Sequence, residues 1–104
     1  MLERYTDHTD ALNQSLQSLI KQAAKILKKK GAREVFLFGS VAKNMFRENS
    51  DIDLAVSGLP PQLFFEAMGE AGDVLKCPLD LIDLDEDTPF TRYLRERENL
   101  IRVE

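Results

Sequence analysis

Residues 35–56 read VFLFGSVAKNMFRENSDIDLAV, and the architecture turns on how this stretch is folded. Val35 to Phe38 is a continuous apolar run of β-forming residues that stops at Gly39, the pattern of a strand buried on both faces. A Gly where a strand ends lets the backbone approach a ligand closely, and the hydroxyl of Ser40, with the N–H groups beyond it, can donate to phosphate oxygens. After ten more residues comes Ser50-Asp51-Ile52-Asp53-Leu54-Ala55-Val56. In a strand, residues two apart share a face, so Asp51 and Asp53 are expected to project together while Ile52, Leu54 and Val56 enter the core.

Two carboxylates about 6 Å apart repel by about 3 kcal/mol at an effective dielectric of 20, so a half-buried pair carries a standing cost. A divalent cation removes it. Mg2+ prefers one or two carboxylates together with substrate phosphates over a closed protein cage. The stretch therefore fits a site for a Mg2+-bound nucleoside triphosphate. A lone Gly-Ser is most often a turn, and a lone Asp-x-Asp is common in surface loops. Their combination says more, because Asp53 interrupts an apolar alternation where a purely structural strand would not place a charge.

Gly39-Ser40, ten intervening residues and Asp51-x-Asp53 resemble the signature of the DNA polymerase β-type nucleotidyltransferase superfamily, and in particular its minimal nucleotidyltransferases, the antitoxin partners in HEPN/MNT toxin–antitoxin pairs. The resemblance covers nearly the whole chain. It implies an α/β (α+β) fold, a small mixed sheet flanked by helices, as one minimal nucleotidyltransferase domain over residues 1–104. It also implies a third carboxylate on a neighbouring strand, in a context like Leu-Asp-Leu-Ile. The family pattern Gly-Ser-Arg-Ala-Arg-Gly is met in part: Val41 and Asn44 replace the first Arg and the last Gly, and Lys43 stands for the second Arg.

The rest of the chain is read around that centre. A length of 104 residues suits one domain that buries roughly two-thirds of its unfolded surface. With 43% hydrophobic and 31% charged residues, the composition is that of an ordinary globular protein. A net charge of -4 argues against a general nucleic-acid binder, which needs a dominant basic surface, but not against ATP. The single Cys77 excludes an internal disulfide and a Cys-based zinc site, and fits a cytoplasmic setting. No apolar run reaches membrane-spanning length, and MLERYTDHTD is too charged for a signal peptide.

Leu12, Leu16, Leu19, Ala23 and Ile26, with Ile20 and Leu27, form a helical stripe that Thr9 or Asp10 is expected to cap after a polar lead-in. Lys28, Lys29 and Lys30 then place cations at the negative helix end, before Gly31. His8, the only His, lies in the lead-in without a partner pattern. Residues 41–49 are expected to form a short helix whose N-terminus faces phosphates, with Lys43 and Arg47 on one face for charge neutralisation or ordinary solvation. Gly58, Pro60 and Pro61 mark a turn into a helix, with Leu63, Phe64, Ala67, Met68 and Ala71 apolar up to Gly72.

Pro78 precedes a third strand, Leu79 to Leu84. Alternation groups Asp80 with Ile82 and Leu84, and Asp83 and Asp85 with Leu79 and Leu81. Asp80 is the choice for the third carboxylate and Asp83 the fallback, since sequence does not set the register. A last helix is expected from Asp87 or Thr88 with Pro89, with Phe90, Tyr93, Leu94 and Arg97 on one side and Arg92, Arg95 and Arg97 solvated or paired with Glu96 and Glu98. Leu100, Ile101 and Val103 suit a short terminal strand.

Carried over residue by residue, the resemblance implies Mg2+-dependent transfer of AMP from ATP. Asp51, Asp53 and Asp80 would hold two Mg2+ ions and do the catalysis, with Gly39, Ser40, Lys43 and Arg47 on the nucleotide. Too little chain follows the metal-binding strands for an acceptor domain, so the acceptor is expected from outside: in this family, a tyrosine hydroxyl of a HEPN ribonuclease toxin, silenced by the attached AMP. Two rival readings are a catalytically weak antitoxin that acts by stoichiometric binding, and a small-molecule nucleotidyltransferase subunit of the antibiotic-modifying (aminoglycoside) kind. A P-loop is absent.

Overall fold

The structure, a computed structural model, describes residues 2–39, 51–97 and 100–103, with side chains described from residue 16 onward. The expected helix over residues 41–49 lies outside the described residues, as do Ser40, Lys43, Arg47 and Glu98 and the side chain of His8.

Helix α1 runs from Leu2 to Lys29, so it begins well before the expected cap at Thr9 or Asp10. No Gly or Pro interrupts residues 2–29, and a helix without a breaker continues through a polar stretch that lacks an apolar period. Its C-terminal half buries Ile20, Ala23, Ala24 and Leu27. Gly31, at φ +122°, turns the chain where a side-chain Cβ would meet Pro60 at 2.9 Å. The lysines at this end hold the exit in place. Lys28 Nζ donates to the Arg33 carbonyl at 3.0 Å, while Lys30 bridges to Glu66 at 2.9 Å and Glu70 at 2.7 Å on the next long helix.

Strand β1 (Glu34–Phe38) pairs antiparallel with β2 (Ile52–Ser57). A single 3-10 turn, Pro61–Leu63, leads into helix α2 (Phe64–Leu75), which crosses over to strand β3 (Leu79–Asp83), parallel to β2. Helix α2 does not stop at Gly72. It ends at Lys76, a left-handed residue at φ 59° whose N–H donates to the Gly72 carbonyl. Helix α3 (Pro89–Arg97) and strand β4 (Ile101–Arg102), antiparallel to β1, complete a mixed sheet of order β3-β2-β1-β4.

Alternation divides the sheet into two faces. Val35, Leu37, Ile52, Leu54, Val56 and Leu81 belong to a core cluster with the buried residues of α1 and α2, including Ala67, Ala71 and Leu75. Phe38, Ala55 and Leu84 form a smaller cluster with Leu94 of α3, joined by Phe36, Ile82 and Leu100. The buried residues of α3 are Thr91 and Leu94, whereas Phe90 and Tyr93, expected on the inner side, remain 48% and 50% exposed. The reason is the helix start. Thr91 N–H donates to Thr88 Oγ1 at 3.1 Å, Thr88 N–H donates to Thr91 Oγ1 at 3.0 Å, and the Thr91 hydroxyl donates to the Glu86 carbonyl at 2.6 Å. This reciprocal cap turns Thr91 inward and swings its neighbours out. Arg92 pairs with Asp87 at 2.7 Å, just ahead of the helix.

Small residues dominate where α1 and α2 share the larger core: Ala23, Ala24, Ala67 and Ala71 all have zero exposure. Ala71→Leu is therefore expected to overpack this contact and cost about 1–3 kcal/mol, read as a fall in the urea midpoint with an unchanged slope.

Candidate functional site

The pairing register builds the site. Asp53, second residue of β2, lies opposite Phe38 of β1 on one side and opposite Asp80 of β3 on the other. Alternation sends the Asp53 side chain to the α3 face of the sheet, the side of Ala55, and sends Asp80 to the side of Ile82 and Leu84. Two carboxylates thus meet across adjacent strands.

Gly39 closes the third side. At φ +80° its backbone sits so near Asp53 that a Cβ would lie 2.1 Å from Asp53 Oδ2. Only a residue without a side chain permits this approach. Asp51 stands just ahead of β2 and is exposed, outside the ladder in which the sequence reading placed it. Its charge still acts on Asp53 and on the half-buried Cys77, whose thiol is pushed up by burial and then by Asp51.

Asp83, the alternative third carboxylate, lies opposite Val56, three pairs along the ladder from Asp53. It has other work there, since its Oδ1 accepts the Asp85 N–H at 2.9 Å, and Asp85 Oδ2 in turn accepts the Gly58 N–H at 2.6 Å. The acidic turn after β3 is thereby tied to the turn after β2. Of the sequence-predicted residues, Gly39, Asp51, Asp53 and Asp80 come together; Ser40, Lys43 and Arg47 lie outside the described residues.

The electrostatics follow from this crowding. Burial, then the charges of Asp80 and Asp51, and then a hydrogen bond with Asp80 push the Asp53 carboxyl up to about 6. A carboxyl raised this far is partly protonated around pH 6, and a cation bound beside it would favour its ionised form. The donor set consists of hard carboxylate oxygens, two of the three groups paired across strands. Among the described residues no group of three or more His, Cys, Asp or Glu side chains is placed to hold a metal ion, so the donors to hand are the Asp53–Asp80 pair. Such an arrangement fits Mg2+, which takes one or two carboxylates and completes its shell with phosphate and water. The sequence reading assigns Phe38 and Phe90 only structural places, in a strand and on a helix side; their rings meet edge to face at 6.4 Å, and Phe38 lies opposite Asp53. An aromatic directly before the Gly-Ser turn was the available signal for the first of them.

The family model for the polymerase beta nucleotidyltransferase domain matches residues 21–101 of this chain. Among solved structures, one described as a candidate minimal nucleotidyltransferase gives a TM-score of 0.68 at 25% identity, covering 83% of this chain and 91% of that one. The crystal structure of a toxin–antitoxin with AMP-PNP gives 0.65 at 22% identity, covering 81% of this chain and 72% of that one. That of the MntA-HepT toxin–antitoxin gives 0.59 at 20% identity, covering 88% and 71%. The two toxin–antitoxin likenesses speak to the fold. No curated protein matches the chain.

A carboxyl raised from 3.8 to about 6 makes the folded state bind more protons than the unfolded state between those values. Stability therefore falls as pH rises through that window. Asp53→Asn is expected to leave stability unchanged near pH 4. Above pH 6.5 it should raise stability by about 1 kcal/mol, a value discounted for partial exposure, or roughly 4–8 °C in Tm. Thermal melts across pH 4–8 check both ends. Gly39→Ala is expected to lower Tm at every pH, because the new Cβ meets the Asp53 carboxylate and the backbone is left-handed.

Proposed function

Because this chain belongs to the polymerase beta nucleotidyltransferase family, we propose that it is an antitoxin that transfers AMP from ATP, with Mg2+, to a tyrosine hydroxyl of a HEPN-type toxin protein and so neutralises it. The observation that carries the reading is the cross-strand pair Asp53 and Asp80, with Asp51 close enough to act on both Asp53 and Cys77, and the side-chain-free backbone of Gly39 against it. The choice of a toxin as acceptor draws support from the toxin–antitoxin structures that share the fold, and the choice of ATP from the one that holds AMP-PNP.

In the proposed reaction the acceptor oxygen attacks the α-phosphorus and forms a new P–O bond. The P–O bond to the β-phosphate breaks and pyrophosphate leaves with that electron pair. The acceptor's proton passes to a carboxylate, assigned to Asp80, which is exposed at the start of β3. Mg2+ would be held by Asp53 and Asp80 with Asp51 beside them, and would supply neutralisation of the phosphate charge and of the carboxylates. Gly39 contributes by what it lacks: without a side chain, its backbone packs directly against the Asp53 carboxylate. Catalysis of this kind is mainly positioning and fixed charge, which two strands and a turn can provide.

The test uses ATP labelled at the α-phosphate, Mg2+ and lysate from the protein's own source. Label is expected on a discrete protein band, with none from γ-labelled ATP. Asp53→Asn and Asp80→Asn are expected to lower transfer by about 100-fold or more, and Asp83→Asn by less than about tenfold. A labelled small molecule with no protein band would instead favour the antibiotic-modifying type of enzyme. Neutralisation of the toxin by the Asp53→Asn variant would favour simple binding.

A further inference from the structure

The outer edge of β3 borders a groove of about 440 Å3 that the reading above leaves unused. Its floor is Leu81 and Ile82, its walls are Phe64 and Phe65 at the start of α2 and Phe90 at the start of α3. Phe65 is 77% exposed and Phe90 48%, so the mouth of the groove presents two large apolar rings. The acids Asp83 and Glu86 also line it, and among the described residues no Lys or Arg does.

The groove neighbours the carboxylate site in two ways. Leu81 and Ile82 directly follow Asp80 in β3, about 3–7 Å further along by strand rise. Phe90 reaches the same place from the other side, through its edge contact with Phe38, the cross-strand neighbour of Asp53. In addition β3 is an edge strand, with β2 as its only neighbour among the described residues. A strand edge with an apolar floor and an acidic rim accommodates an extended polypeptide through main-chain pairing and side-chain pockets. The charge on the rim selects the sign of its flanking residues.

We propose that this groove seats the acceptor: a polypeptide segment with an apolar or aromatic side chain between Phe65 and Phe90 and with Lys or Arg at its flanks, so that the hydroxyl it carries reaches Asp80. The inference rests on the proposed protein-directed transfer. Phe65, Phe90 and Glu86 are positioning residues for the acceptor and do not touch the nucleotide.

The test takes as its probe the purified protein from the labelled band and measures steady-state transfer for the wild type, Phe65→Ser, Phe90→Ser and Glu86→Lys. Expected is a rise of tenfold or more in KM for the acceptor in Phe65→Ser, and a smaller rise in Glu86→Lys that fades at high salt. KM for ATP should stay within twofold in all of them. Phe65 is the deciding position, because its exposure makes Phe65→Ser compatible with a wild-type melting curve, which is checked first; Phe90 contributes to packing and is supplementary. An unchanged acceptor KM in Phe65→Ser overturns the proposal, as does a parallel loss of ATP affinity, which would put the rings in the nucleotide site. Absence of any labelled protein with the wild type overturns the underlying reading instead, and the two failures are told apart by that control.

Discussion

One like-charge contact governs this molecule: Asp53 and Asp80, side by side on neighbouring parallel strands. Neither strand pairing alone produces it. The antiparallel pairing of β1 and β2 fixes Asp53 against Phe38 and Gly39, and the α2 crossover fixes β3 so that Asp80 falls opposite. A shift of one residue in either register would send one carboxylate into the alanine-rich core under α1 and α2, where an unpaired charge costs several kcal/mol. Register and site are therefore specified by the same constraint.

The two faces of the sheet divide the labour. The α1–α2 face carries most of the buried apolar residues, with close helix packing set by alanines and pinned by Lys30 to Glu66 and Glu70. The α3 face has a small core around Phe38, Ala55, Leu84 and Leu94, and leaves its strand ends to the acids. Stability from the first face tolerates charge repulsion on the second. This is the usual place for a protein to hold groups that pack poorly on their own, because a ligand that binds only the folded state offsets their cost.

What could be read from the sequence follows the same division. Asp53 was legible because a charge inside Ile52-x-Leu54-x-Val56 breaks a local pattern, and Gly39 because it ends an apolar strand. The choice between Asp80 and Asp83 was not, because both occur in the same short strand and only the nonlocal register with β2 separates them. Helix α1 was read too short since residues 3–10 lack an apolar period, although nothing there stops a helix. In α3, hydrophobicity pointed to Phe90 and Tyr93, but the hydroxyls of Thr88 and Thr91 satisfy the helix start and set the rotation. Short-range hydrogen bonding outweighed apolar spacing in a helix of 9 residues.

That rotation connects local structure to the site. With Thr91 and Leu94 turned inward, Phe90 cannot join the core fully, and it lies instead across Phe38 at the border of the acid pair. A cap made of two threonines thus decides which aromatic surface stands next to the carboxylates. Had Phe90 been buried as its hydrophobicity suggests, the edge of β3 would face solvent beside a polar helix. As it is, an apolar wall runs from Phe38 through Phe90 to the groove at the edge of β3.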